Sequence, residues 1–245
     1  MTMPMRHFLT AVALLTAALS WSVAHAAPPP VAVVACGQVV PTATTGKLAA
    51  DLDCTGAEGI QLGARATLDL DGHMLSGDSY DGVLCAGACT VTGGGAISGF
   101  KRGVSSAKGA IKVGGGGAIV FTNQISGIVG KRTVQAKGVT FAGHAVEAIS
   151  AVQTATLEGC TLTDNSTGIA SSSTVKLIGT TITGGAIGIY ARGASLSYST
   201  IDTTTDGLNG PDILTLGGRP RLKASSCAGK SQKYGGPSWG VCALD

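Results

Sequence analysis

The stretch Thr67-Leu68-Asp69-Leu70-Asp71-Gly72-His73-Met74-Leu75-Ser76-Gly77 decides the fold. From Thr67 to Asp71 polar and apolar residues alternate, the period of a strand with one buried face. Asp71-Gly72 then breaks the run with a dipeptide suited to a turn, and a second short strand follows.

The same pattern recurs along the chain. A small residue followed by an aliphatic one returns at Gly59-Ile60, Gly82-Val83, Gly103-Val104, Gly127-Ile128, Ala145-Val146, Gly168-Ile169, Gly188-Ile189 and Gly207-Leu208. The interval is about 21 residues, within the range of solenoid units. A second set runs in phase, through Leu52, Leu75, Ile97, Ile119, Phe141, Leu162, Ile182 and Ile201. A third, Leu70, Val91, Val113, Val134, Leu157, Leu177 and Leu196, completes three short strands per repeat. One repeat cannot bury its apolar face alone, whereas stacked repeats bury a continuous column and pair each strand above and below.

Composition agrees. The 245 residues include 38 glycines, only 4% are aromatic and 13% are charged, so the core is built from thin layers of medium-sized side chains. No helical heptad occurs, which disfavours a leucine-rich horseshoe or a βαβ sheet. A β-sandwich is the alternative that evenly spaced short strands leave open. The expectation is an all-β chain forming a parallel β-helix of about seven or eight coils, with disulfide-clipped ends. Its organisation is read as a signal peptide at 1–26, an N-terminal cap at 27–58, the β-helix at 59–218 and a C-terminal cap at 219–245. The caps would cover the unpaired end strands that otherwise invite association.

The leader reading rests on Arg6, an apolar run from Phe8 to Val23 and the small-residue site Ala24-His25-Ala26 before Pro28-Pro29-Pro30. Secretion, extracellular or periplasmic, is the expected localisation. No later stretch has the roughly 18 apolar residues of a membrane span. Val33-Val34-Ala35-Cys36 loosely matches a lipoprotein box but lies beyond the prolines, so Cys36 reads as structural. Seven cysteines in an exported chain imply disulfides and one odd thiol. Sequence does not determine connectivity; proximity suggests Cys36 with Cys54, Cys85 with Cys89, and Cys227 with Cys242. That leaves Cys160 as a buried free thiol, in phase with Thr180 and Ser199 in later coils.

The formal net charge of +3 falls by only Arg6 when the leader is removed. Sparse charge of both signs argues against a nucleic-acid partner, which calls for a basic stripe. Zinc is disfavoured, because paired C-x-x-C knuckles are missing and only His73 and His144 survive in the mature chain.

Thr67 to Gly77, Asp164-Asn165-Ser166-Thr167-Gly168-Ile169 and Thr205-Asp206-Gly207-Leu208 resemble the repeats of bacterial right-handed parallel β-helix proteins of the pectin-lyase-like superfamily. The resemblance covers roughly Cys36 to Gly218. It implies a right-handed coil and an extracellular or envelope polysaccharide as partner. It does not select an activity, because the superfamily holds lyases, hydrolases, epimerases and binding proteins. It also implies that a site sits on the outer face of the strand that starts at the glycine-aliphatic step. Alternation places Gln61, Ser105, Lys131, Glu147, Tyr190, Arg192 and Asn209 outward there. The preceding turns supply Asp78, Asp81, Lys101, Arg102, His144, Asp164 and Asp206.

Adjacent coils lie about 4.8 Å apart, which tests the reactions. Two-carboxylate hydrolysis needs groups about 5 to 9.5 Å apart. Asp78 and Asp164 are four coils, about 19 Å, from each other. Glu147 with Asp164 is the best pair, in different columns. The resemblance to polygalacturonases stops at Thr205-Asp206-Gly207: their Asp-Asp pair is missing, Gly143-His144-Ala145 comes before it instead of after, and no Arg-x-Lys follows. The Asp-Pro-His run of mannuronan epimerases is absent too. A uronate lyase asks only for a base and for cations that hold the carboxylate. Glu147, Tyr190, Arg192 and Asp206 are therefore the candidate catalytic residues, with Tyr190 or Arg192 as base. Lys131, His144 and Asp164 are the candidate substrate-binding residues, with Lys131 as clamp. No cofactor is expected; calcium would suit a lyase, and no specific motif supports it. A monomer is expected. The competing reading is a non-catalytic envelope or surface scaffold.

Three other clusters read as structural. Asp69, Asp71 and His73 solvate a sheet face and shape the Asp71-Gly72 turn. Lys101-Arg102 forms a surface ion pair with the Asp78/Asp81 turn. Gly114 to Gly117 is not a phosphate loop, because no helix or Lys-Ser/Thr follows.

Overall fold

The computed structural model describes residues 29–78, 80–122, 124–203 and 210–241. They form an all-β parallel solenoid of about nine turns with no helix. Each turn contributes a short strand to three stacked faces. Face A includes Ile60–Leu62, Asp81–Cys85, Arg102–Ser106, Ser126–Gly130, Glu147–Ala151 and Ile213–Thr215. Face B includes Thr45–Leu48, Ala66–Asp69, Cys89–Thr92, Ala155–Glu158 and Arg221–Lys223. Face C includes Leu52–Asp53, Met74–Ser76, Gly95–Ser98, Thr161–Thr163, Thr181–Thr183 and Thr200–Asp202. Thr167–Ile178 and Ile187–Ser197 each run from face A into face B as one bent strand.

The turn count exceeds the expected seven or eight because regular stacking extends further at both ends. Val39-Val40 pairs in parallel with Gln61-Leu62, and Thr45–Lys47 with Thr67–Asp69. At the other end Ser231–Lys233 continues face A above Ile213–Thr215. There Ser238–Val241 folds back antiparallel onto Lys230–Gln232, so the last face A strand is paired within the chain.

Three interior columns hold the coils together, buried except at the end turns, where Leu52 and Leu222 are half-buried. On face A, Ile60, Val83, Val104, Ile128, Ile149, Ile169, Ile189 and Ile213 stack in register. Two expected members are thereby replaced. Ile149 occupies the position read as Val146, which is 44% exposed. Ile213 stacks on Ile189, and Leu208 lies outside the described residues. In face C the member is Phe121, not Ile119, and it stacks on Phe141 with ring centroids 5.0 Å apart. In face B, Leu68 and not Leu70 pairs with Val91, and Ala136 and not Val134 stacks on Val113. The physical reason is that turns differ in length. A buried residue just before or after a strand satisfies the same sequence alternation as one within it.

The glycine of the face A step is a consequence of stacking. A Cβ on Gly59 would lie 2.0 Å from the carbonyl oxygen of Gly82 in the next coil. The expected turn at Asp71-Gly72 is present, with left-handed φ values of 51° and 82°.

Cys36–Cys54 and Cys85–Cys89 are disulfides near the N-terminal end, and Cys160 is free and buried. Cys227 is disulfide-bonded; its expected partner Cys242 lies outside the described residues, as do the expected leader and Asp206. Cys160 begins a ladder of small side chains at one corner. Its N–H faces the Thr180 hydroxyl at 3.5 Å, Thr180 N–H donates to Ser199 at 3.2 Å and Ser199 N–H to Ser225 at 3.1 Å.

Candidate functional site

Face A carries a groove of about 570 Å³ at its C-terminal half. Glu147, Ser166 and Thr167 line one end, Tyr190, Leu214 and Tyr234 the other. Glu147 opens its strand and is half-buried; its Oε2 accepts a hydrogen bond from the Ser126 hydroxyl at 3.1 Å. Tyr190 meets the exposed Tyr234 edge to face, ring centroids 6.2 Å apart. That geometry is favoured between aromatic quadrupoles.

Two of the expected catalytic residues, Glu147 and Tyr190, thus share this groove without touching. Ile187 stands two coils above Glu147 in register and Tyr190 three residues beyond it, so the Cα atoms of Glu147 and Tyr190 are about 14 Å apart by strand and coil spacing. Arg192 is exposed just past the end of the face A segment. Lys131 holds the equivalent position three coils below, about 14 Å away. Asp164 is exposed in the turn before the groove, with φ of 53°. Its backbone takes the left-handed conformation that Gly143 and Gly184 take in neighbouring turns.

His144 lies inside the coil. It is 1% exposed, above Phe141 and between Gln124 and Asn165, both also buried. The Gln124 amide donates to Ile97 O at 2.8 Å and the Asn165 amide to Phe141 O at 3.1 Å, so each turns its carbonyl oxygen to the imidazole. The ring contacts are 2.6 Å from Nδ1 to Asn165 and 3.3 Å from Nε2 to Gln124. A neutral ring donates from one nitrogen only, and the shorter contact assigns that proton to Nδ1. Burial holds the imidazole's pKa below its ordinary 6.5, against the opposing pull of Asn165.

Of the expected Lys101-Arg102 pairing with Asp78 and Asp81, the Arg102–Asp81 pair forms, while Asp78 accepts the Gly56 N–H. Arg102 binds Asp81 through two hydrogen bonds, 2.7 and 2.8 Å. Lys101 sits 3.6 Å over the Tyr80 ring. Asp71 pairs with Lys47 at 3.0 Å, Asp69 accepts the Asp71 N–H, and His73 contacts Asp51. Among the described residues, no group of three or more His, Cys, Asp or Glu is placed to hold a metal ion. No helix long and apolar enough to cross a membrane is present among them.

Sequence reasoning missed Tyr234, Leu214, Ile187 and Val146 as groove residues. Tyr234 and Leu214 follow a break in the repeat, and only the stacking of Ile213 on Ile189 brings them to face A. Comparison of the chain with family models, curated proteins and solved structures gives no match.

Proposed function

We propose that this is a secreted polysaccharide-binding β-helix of the right-handed, pectin-lyase-like kind, and that the face A groove takes the sugar chain without cleaving it. The observation that carries the reading is the Tyr190–Tyr234 corner at one end of a groove whose other end offers Glu147, Ser166 and Thr167. Sugar rings present apolar C–H faces and a rim of hydroxyls. An aromatic platform with a few convergent polar groups is the lining that holds such a ligand. The separations between Glu147 and Tyr190, and between Lys131 and Arg192, argue against the base-and-clamp arrangement of a uronate lyase. Proton abstraction needs its base within hydrogen-bond reach of the substrate while cations hold the same sugar.

Calorimetric titration against a panel of plant and bacterial polysaccharides tests this reading. Binding of at least one is expected, and Tyr190→Ala with Tyr234→Ala should weaken it about tenfold, the scale of losing aromatic contacts worth about 1.4 kcal/mol. No binding across the panel would return the solenoid to the scaffold reading. Unsaturated-sugar absorbance, with and without calcium, should stay flat on every polyuronate; a rising trace would overturn the non-catalytic assignment.

A further inference from the structure

Face B carries a straight outward row made of Lys112, Gln135, Thr156, Lys176, Ser195 and Arg221, each in register with the next. Lys112, Gln135, Lys176 and Arg221 are exposed. The row holds no carboxylate, and among the described residues none of its three cations forms an ion pair. The one acid beside it, Glu158, is neutralised by Lys137 at 2.7 Å. Three hollows lie along it. One of 470 Å³ joins Arg65 to Lys112, one of 560 Å³ joins Lys112 to Thr156, and one of 460 Å³ joins Lys176 to Arg219 and Arg221. Face C over the same turns holds no cation in its strands; Thr140, Thr161, Thr181 and Thr200 stack in one row, and the last of these strands ends in Asp202. Lys112, Lys176 and Arg221 thus share one face, while Lys131, Arg192, Lys230 and Lys233 stand on or beside face A.

We infer that face B is a docking surface for a linear acidic glycan lying parallel to the solenoid axis. The surface is separate from the Tyr190 groove and does not depend on that groove's role. A straight ladder selects a straight partner, and uncompensated cations select a negative one. The spacing selects the polymer. Lys112 and Lys176 are three coils apart, about 14 Å, and Lys176 and Arg221 two coils, about 10 Å. A nucleic-acid strand carries a phosphate about every 3.4 Å and is held in such grooves by aromatic stacking. This row offers sparse cations separated by hydroxyls and an amide, and no aromatic ring. Those groups match a chain whose carboxylates or sulfates are separated by neutral hydroxylated sugars. The row also lacks the apolar side chains with which a peripheral protein enters a lipid interface.

The test is binding of the full chain to four probes: hyaluronan and unsulfated chondroitin, in which uronates alternate with neutral sugars, oligothymidylate, and phosphatidylglycerol vesicles. At least one of the two acidic glycans should bind, and its affinity should fall about tenfold or more between about 50 and 200 mM salt, as counterion release requires. The triple variant Lys112→Gln, Lys176→Gln, Arg221→Gln should lose about tenfold or more, while a charge-matched control at Lys101, Lys108 and Lys230 stays within about twofold. A Lys112→Arg, Lys176→Arg, Arg221→Lys chain should retain binding, which separates loss of charge from loss of structure. The triple variant should keep its affinity for any neutral polysaccharide that the Tyr190 groove binds, so the two readings fail separately. Equal losses in the triple variant and its control would overturn the proposal, as would unchanged binding by the triple variant. Tighter binding of oligothymidylate or vesicles than of either glycan would overturn the choice of partner.

Discussion

Asn165 presents one carbonyl oxygen to two donors of His144, the ring Nδ1 at 2.6 Å and the backbone N–H at 3.1 Å. The imidazole is thereby fixed over Phe141 inside the turn that leads to the candidate groove.

Because burial depresses the His144 pKa in the folded chain, the unfolded chain takes up the proton first as pH falls. Its contribution to stability is complete above the ordinary histidine value of 6.5 and is lost as pH drops through the folded-state pKa. Urea midpoints should decline between about pH 7 and pH 5, and His144→Gln should flatten that decline. An unchanged slope in the variant would assign the dependence to another group. Asp51 and Asp53, held low by hydrogen bonds from Met74 and Thr55, act in a separate window, because their contribution is lost only as pH falls below the ordinary carboxylate value of 3.8.

Asp212 stands where earlier turns have the glycine of the face A step, and it is fully buried. Its carboxylate accepts the Thr203 N–H at 2.8 Å, the Thr203 hydroxyl at 2.7 Å and the Gly229 N–H at 2.5 Å. Asp212→Ala strands those donors, at about 1–3 kcal/mol for each that stays unsatisfied. Chemical denaturation should show the C-terminal turns of Asp212→Ala melting before the rest, and a loss under about 0.5 kcal/mol would mean that water replaces the carboxylate.

Cys160 should resist thiol reagents in the native state and react after unfolding, since burial removes access and pushes its pKa above the ordinary 9.0. Cys160→Ser should cost about 1 kcal/mol or less, because serine already fills the equivalent slot at Ser199 and Ser225. Mass mapping of the unreduced protein checks the same register; Cys160 in an intramolecular bridge would contradict it.

Phe121 and Phe141 stack in the face C column and neither is exposed. Phe141→Ala should destabilise the protein by about 3–5 kcal/mol, whereas Ile178→Ala on the outside of face B should change little. Thermal melts of the two variants give the comparison directly.

The three-strand repeat and most of its interior columns were legible in the sequence, because period-two alternation and turn dipeptides are local properties of the chain. The free, buried Cys160 was legible for the same reason: a position recurring as Thr180 and Ser199 needs only the repeat length to be read. Two proximity pairings, Cys36–Cys54 and Cys85–Cys89, hold as well. The exchange of Val146 for Ile149 was not legible. Both are aliphatic residues after an alanine, and only pairing with Ile128 and Ile169 distinguishes them.

What the sequence determined by itself was the architecture, since stacking is the one way such weak repeats can bury their apolar faces. What only the tertiary structure decided was which polar residues meet. His144 reads as an outward turn residue and lies inside, because the identity of its neighbours Gln124 and Asn165 depends on the coils above and below. Lys112, Lys176 and Arg221 look like scattered charges of a nearly neutral chain. They form one row because parallel pairing converts each repeat of sequence into a single step of about 4.8 Å.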